Sequence, residues 1–148
     1  MIETTGDLFQ QIADAICITT NATIKKNGCA VMGAGCAKTA RDRFTDIDEI
    51  LAEHLQRNGN VVGILTNGKH PFVAPWKIYS FPTKHNWWDD SDLDLIIRSA
   101  QQLVSISGNK EKIIIPRPGC HNGRLKWTNV KKVLEPILND DRFVIIDY

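Results

Sequence analysis

Two glycine-rich loops contain the residues best suited to bind a phosphate-bearing ligand. In the first loop, Gly33 and Gly35 follow an apolar run and precede an amphipathic segment. Glycines let backbone N–H groups approach an anion closely, and a helix that begins after them adds aligned donors. This pattern predicts a diphosphate cradle. A tight strand-to-helix turn explains this loop equally well, because the P-loop and full dinucleotide patterns are absent.

The second loop runs from Pro116 to Trp127 and also lies between an apolar run and a helical pattern. Gly119 and Gly123 offer backbone N–H donors. Asn122 and Arg124, on either side of Gly123, supply polar side chains. An ordinary turn is the alternative reading of this loop alone. Taken together, the two loops predict one phosphate-bearing ligand gripped from two sides.

A third segment, Lys84 to Trp88, interleaves cations with two tryptophans. Exposed aromatic rings beside cations often stack single-stranded bases. The alternative is that Trp87 and Trp88 pack the loop, and at least one structural ring is expected. The segment therefore raises the hypothesis that the ligand is carried on a nucleic acid.

Strands alternating with helices must position these loops. The apolar runs are short and show little alternation, which is typical of strands covered on both faces. They are Ala15–Thr20, Asn60–Leu65, Lys77–Phe81, Lys112–Ile115 and Phe143–Ile146. Such an order predicts a three-layer α/β/α sandwich with ligands at the carboxyl ends of the strands.

Helical apolar stripes fall between these runs and carry their own start and stop signals. One helix opens between Gly33 and Arg43. The others are predicted over 47–55 with Thr45 as cap and Asn58-Gly59 as end, over 93–104 with Ser91 or Asp90 as cap, and over 130–137 with Thr128 as cap and Pro136 as an early end.

Composition fits one ordinary globular domain over residues 1–148. The chain is 43% hydrophobic and 24% charged with a formal net charge of +1, so its bulk charge gives no argument for nucleic acid or a membrane surface. We expect no signal peptide, no membrane association and no metal site, because no run or spacing matches one. The four cysteines are interpreted as reduced thiols of a cytoplasmic protein.

Four separate motifs, in this order and spacing, resemble the macrodomain family. They are Gly6-Asp7-Leu8-Phe9, Val31-Met32-Gly33-Ala34-Gly35, Phe81-Pro82-Thr83-Lys84, and Pro116-Arg117-Pro118-Gly119-Cys120 with Arg124-Leu125-Lys126-Trp127. The resemblance spans nearly the whole chain. Its nearest branch is the terminal ADP-ribose protein glycohydrolase together with the macrodomain antitoxin that removes ADP-ribose from DNA. It implies a central mixed, mostly parallel sheet.

The resemblance also implies which residues bind ADP-ribose. Asp7 would accept a hydrogen bond from the adenine amino group, although an Asx turn or cap would also explain it. The Leu8 backbone would lie beside the ring, Asn21 would face the distal ribose, and Tyr148 would lie near the adenosine. The remaining implied ligand-binding residues are Thr20, Met32, Gly33, Ala34, Gly35, Cys36, Pro118, Gly119, Cys120, His121, Asn122, Gly123 and Arg124.

Lys84 is the reactive residue that the resemblance implies. In the resembled branch a lysine attacks C1″ of the opened ribose, and such an amine must be neutral to react. The glycohydrolase resolves its adduct with a second-loop aspartate, where this sequence has Gly123. His121 is the substitute candidate for acid–base work, because imidazole titrates near neutral pH. Simple loop packing explains His121 equally well.

Four functions follow as competing hypotheses. The first is a hydrolase that removes ADP-ribose from a protein side chain or a nucleic-acid base. The second is a phosphatase acting on ADP-ribose 1″-phosphate, and the third is a non-catalytic ADP-ribose reader. The fourth, a nucleic-acid-binding domain without an ADP-ribose role, is disfavoured by the near-neutral charge. We expect no cofactor and no obligate protein partner.

Overall fold

The computed structural model describes residues 1–67 and 77–148. The strands in these ranges are β1 Ile2–Thr5, β2 Ala15–Thr20, β3 Gly63–Asn67, β4 Lys77–Pro82, β5 Ile113–Pro116 and β6 Phe143–Asp147. The α-helices are α1 Gly35–Arg43, α2 Ile47–Asn58, α3 Leu93–Ile106 and α4 Trp127–Leu134, and a 3-10 turn covers Leu8–Gln10.

The strands form one sheet in the order β1-β6-β5-β2-β4-β3. Among the described strands, β3 and β4 form the only antiparallel pair, and the remaining neighbours are parallel. The predicted mixed, mostly parallel sheet is therefore confirmed. Because parallel strands share one carboxyl edge, the loops after β2, β4 and β5 meet there.

The core has two halves, one on each face of the sheet. Ile16 and Ile18 of β2 join the cluster that includes the buried residues of α1 and α2. Ala15 and Cys17 point to the other face, where α3 and α4 pack. Alternate residues of one strand thus bury opposite faces, which explains why the strands read as continuous apolar runs.

Three predicted strands differ from the structure by one residue at one or both ends, one differs by more, and one strand was missed. β3 begins at Gly63 rather than at Asn60, because Asn60 and Val61 lie in a turn where the Val61 N–H donates to the Gly59 carbonyl oxygen over 2.9 Å. β1 was not predicted. Three of its four residues are polar, and in the described sheet it is an edge strand beside β6, so it lacks the apolar signal of a buried strand.

The predicted helix caps are wrong at three starts. α2 follows Asp46, which has a left-handed backbone and makes no capping hydrogen bond. α3 is capped by Asp92, whose side chain accepts from the Asp94 and Leu95 N–H groups. α4 starts at Trp127, one residue before the predicted Thr128 cap, and ends at Leu134, as Pro136 predicts. Among the described residues, no helix is long and apolar enough to cross a membrane.

Candidate functional site

A cleft of about 420 Å³ opens at the carboxyl edge of the sheet. The loops after β2, β4 and β5 all contribute to its walls. Of the residues predicted to bind the ligand, the cleft is lined by Thr20, Asn21, Met32, Gly33, Ala34, Gly35, Lys84, Gly119, His121, Asn122, Gly123 and Tyr148. The structure therefore brings both glycine-rich loops and Lys84 to one place.

Eight further lining residues were not predicted as ligand-binding. They are Thr19, Val31, Ala37, Thr83, Trp87, Ser91, Pro116 and Arg117. Most directly neighbour a predicted residue along the chain, so the predicted motifs located these segments without giving their full extent. Ser91 was considered only as a helix cap, and it is the one whose sequence context gave no sign of a place in the cleft.

Two predicted adenine contacts lie outside the lining of the cleft. The Asp7 carboxylate accepts from the Phe9 N–H over 2.8 Å and caps the 3-10 turn, while its side chain is exposed. The Leu8 side chain is fully buried in the core. Both residues follow β1, so they stand at the same carboxyl edge as the cleft. Their contact with adenine stays a prediction.

Three second-loop residues also lie outside the lining. Pro118 is buried, and the Cys120 thiol donates to the Pro118 carbonyl oxygen. Burial raises the pKa of the Cys120 thiol to about 11, so it stays protonated at neutral pH. Arg124 has a left-handed backbone (φ 65°), and its side chain is 81% exposed opposite Asp90. These three side chains thus make no wall of the cleft.

The first glycine-rich loop places the start of α1 at the cleft. Gly35 has a left-handed φ of 59°, and Ala34 provides no side-chain cap for the helix. The Cys36 N–H donates to the Tyr148 hydroxyl over 3.1 Å, so Cys36, itself outside the lining, anchors Tyr148. Burial raises the pKa of Tyr148, which therefore keeps its proton at neutral pH. The helix start presents backbone donors and one neutral hydroxyl to a ligand.

Asn21 holds the first loop in shape. Its amide Nδ2 donates to the Val31 carbonyl oxygen over 3.2 Å, and its Oδ1 accepts from the Thr23 N–H over 2.9 Å. One N–H of the amide remains after these bonds. The residue can therefore fix the loop and still donate once into the cleft.

Lys84 joins the loops after β4 and β5. Its Nζ donates to the carbonyl oxygens of Trp87 (3.5 Å) and Asn122 (3.3 Å), and within 1–67 and 77–148 it has no carboxylate partner. Its backbone is fixed because the Thr83 and Lys84 N–H groups both donate to the Thr20 carbonyl oxygen. The amine is thus held by neutral oxygens at the wall of the cleft.

Two basic side chains near the cleft, Arg117 and His85, each have a carboxylate partner. Arg117 pairs with Asp147 over 3.2 Å, and His85 Nε2 lies 2.7 Å from Asp92. The hydrogen bond with His85 lowers the pKa of Asp92. The Arg117 charge is therefore largely balanced by Asp147 rather than directed at the lysine.

His121 lies at the rim of the cleft. Its side chain is 44% exposed, its ring centroid is 4.8 Å from that of Tyr148, and its Nε2 is 4.0 Å from an Asp147 oxygen. The ring is thus open to solvent and placed over the tyrosine. Its role in acid–base chemistry stays a prediction.

Trp87 and Trp88 are exposed beside Lys84. Their side chains are 55% and 62% exposed, and the rings meet edge to face with centroids 5.8 Å apart. Trp87 also lines the cleft, and its backbone N–H donates to the Thr23 hydroxyl over 3.1 Å. The expected structural ring is therefore not found in the interior, and both rings are available to a ligand at the rim.

Gly123 has no room for a side chain. A Cβ atom there would overlap Ser91 Oγ and would lie 2.6 Å from the Gly119 carbonyl oxygen and 2.8 Å from its Cα. The second-loop aspartate of the resembled glycohydrolase therefore cannot stand at this position without a shift of the backbone. The space is filled by a serine from the segment before α3.

We expect Gly123→Ala to lower the free energy of unfolding by about 1–3 kcal/mol, because overpacking against backbone atoms strains the loop. Urea denaturation measures the change. Gly108→Ala is the matched control, because a Cβ there meets only ordinary contacts of 3.7 Å or more with Glu111. Equal stability of the two variants would contradict the packing described at Gly123.

No group of three or more histidine, cysteine, aspartate or glutamate side chains in the described part of the chain could hold a metal ion. The four thiols are unpaired.

Known proteins share this sequence pattern and this architecture. No family model matches the chain. A curated relative, the DNA ADP-ribosyl glycohydrolase of Thermus aquaticus, is 26% identical over 136 residues, and the match covers 90% of this chain but 36% of the relative's length.

Solved structures cover the chain more completely. The macrodomain of Mycobacterium tuberculosis DarG matches with a TM-score of 0.82 and 24% identity, and the macrodomain of Thermus aquaticus DarG with 0.79 and 25%. Each match covers 99% of this chain and 97% of the other. Thermosipho africanus DarTG in complex with ADP-ribose matches with a TM-score of 0.75 and 21% identity over 98% of this chain and 41% of that one.

Proposed function

Since the chain has the macrodomain fold, we propose that it binds ADP-ribose in the cleft and hydrolyses an ADP-ribosyl linkage through Lys84. One observation carries this proposal. Lys84 Nζ stands at the wall of a cleft lined by two glycine-rich loops, and among the described residues it is hydrogen-bonded only to carbonyl oxygens. Residues 1–148 are proposed to form one domain acting in the cytoplasm, where unpaired thiols stay reduced.

The diphosphate would lie between Gly33–Gly35 and Gly119–Gly123. Backbone N–H groups at the start of α1 offer donors and the positive end of a helix dipole. The adenosine would extend towards Asp7, and the distal ribose towards Lys84. This orientation puts the reacting carbon next to the amine and leaves the acceptor at the open rim.

Lys84 is accessible to a substrate because its contacts are few. Among the described residues no carboxylate pairs with its Nζ, so no ion pair has to be broken before the amine meets a substrate. A substrate that displaces the two carbonyl contacts would leave the amine facing C1″. The amine would bond to C1″ of the opened ribose and the acceptor would leave. The two amine protons would pass to the ring oxygen and to the leaving acceptor, which gives an imine between Nζ and C1″.

A nucleic-acid base is the acceptor that the rim favours. Trp87 and Trp88 expose ring faces beside the lysine, and every base can stack on such a surface. The named activity of the Thermus aquaticus relative, on DNA, agrees with this choice. A protein acceptor would gain less from two adjacent aromatic rings.

The test compares three substrates in parallel: ADP-ribosylated single-stranded DNA, ADP-ribosylated protein and ADP-ribose 1″-phosphate. We expect release of ADP-ribose from the DNA, and none from the DNA with Lys84→Ala. Phosphate release that survives Lys84→Ala would instead indicate a phosphatase. Tight ADP-ribose binding without turnover of any substrate would indicate a reader.

Asp7→Asn tests the proposed adenine contact. The asparagine oxygen can still accept from the Phe9 N–H, but the other oxygen becomes an N–H donor facing the adenine amino group. We expect the ADP-ribose Kd to rise about tenfold in calorimetry, since the adenine donor loses its acceptor. The unfolding midpoint should stay unchanged as the internal control, and an unaltered Kd would remove Asp7 from the site.

A further inference from the structure

Ser91 carries an unpartnered hydroxyl in the wall of the cleft. The residue is only 8% exposed, and its Oγ forms no hydrogen bond with the residues in 1–67 and 77–148. A buried hydroxyl without a partner costs about 1–3 kcal/mol. Thr20 Oγ1, in the same cleft and 5% exposed, is likewise unpartnered. This part of the cleft is therefore built for a polar occupant.

The backbone holds Ser91 against the second loop. Its N–H donates to the Gly123 carbonyl oxygen over 3.0 Å, and its Oγ fills the space that a side chain at position 123 would take. Lys84 Nζ donates to the carbonyl oxygen of the preceding residue, Asn122. The serine hydroxyl and the lysine amine thus approach the same two-residue turn, Asn122–Gly123.

We propose that Ser91 is a positioning residue whose Oγ orients the water that frees ADP-ribose from Lys84. This rests on the proposed function, in which an imine joins Nζ to C1″. Water adds to C1″, both of its protons pass to Nζ, and the C1″–Nζ bond breaks. The products are the ribose aldehyde, which recloses, and the neutral amine of Lys84.

Ser91 would act here by geometry rather than as a base. A hydroxyl accepts and donates hydrogen bonds, and a water needs two or more such partners to be fixed. The serine hydroxyl therefore orients the water without removing a proton from it. His121 is a weaker candidate for this task, because its ring lies at the rim against Tyr148 and is 44% exposed.

The test is Ser91→Ala assayed on ADP-ribosylated single-stranded DNA with sodium borohydride as the trap for the imine. We expect the release rate to fall about tenfold, the loss of one hydrogen bond in the reacting state, while the ADP-ribose Kd changes by less than about threefold. Borohydride should trap more Lys84-linked ADP-ribose than in wild type, because attack by the lysine precedes the impaired step.

Ser107→Ala is the matched control. Ser107 is also 8% exposed, but it lies at the far end of α3, where its Oγ accepts from Arg142 Nη1 over 3.0 Å. This variant should lose stability yet trap and release as wild type does. Ser91→Ala should keep its unfolding midpoint, because its hydroxyl has no protein partner to lose.

An unchanged release rate in Ser91→Ala, or slower release without more trapped adduct, would overturn the assignment of Ser91 while the proposed function stands. A wild-type protein that neither binds ADP-ribose nor releases it would refute both together.

Discussion

Lys84→Ala is expected to lower the rate of ADP-ribose release by at least about a thousandfold, since it removes the attacking amine itself. ADP-ribose affinity should change by only a few-fold, because the groups proposed to bind the diphosphate are backbone N–H groups of the two glycine-rich loops rather than the lysine side chain. Single-turnover release from ADP-ribosylated single-stranded DNA measures the rate, and calorimetry measures the affinity.

Lys132→Ala serves as the control for charge. Lys132 is an exposed lysine of α4 and lies outside the cleft, so its loss changes the net charge equally. It should release ADP-ribose at the wild-type rate. Release by Lys84→Ala at more than about a tenth of that rate would show that another group performs the chemistry.

Gly35→Val should abolish binding, with a rise in the ADP-ribose Kd of at least about a hundredfold, or 2.7 kcal/mol. A Cβ at Gly35 would stand 3.3 Å from the Tyr148 hydroxyl and 3.4 Å from Asn122 Nδ2. The two further methyl groups of valine would then fill the gap between the loops. Calorimetry with ADP-ribose measures the loss.

The control for backbone strain is Gly28→Val. Gly28 also has a left-handed φ, of 87°, but nothing lies within 4 Å of its Cβ position and it does not line the cleft. Both variants should lose stability from the left-handed backbone. Only Gly35→Val should lose ADP-ribose, and equal binding by the two variants would contradict a diphosphate at the start of α1.

The sequence predicted the buried sheet well because β2, β4, β5 and β6 are covered on both faces. Such strands show continuous apolar runs, whereas β1 consists of the half-exposed Ile2 followed by three polar residues. Its pairing with β6 is a long-range contact that no local pattern encodes. Caps were harder to predict, because Asp92 competes with Asp90 and Ser91, and only the geometry of α3 decides among adjacent candidates.

The site was predicted best where backbone conformation governs binding. Glycine spacing identified both loops, and the resemblance identified Lys84, which the structure brings to the same cleft. The directions in which side chains point could not be predicted from the sequence. Arg124 points to solvent because its backbone is left-handed, and Ser91 reaches Gly123 only through the fold.

The central claim is that both glycine-rich loops grip one ADP-ribose, and calorimetric titration of the wild-type protein with ADP-ribose tests it most directly. A one-to-one complex that Gly35→Val abolishes and Gly28→Val retains is the predicted result. Absence of binding at millimolar ADP-ribose would contradict the account.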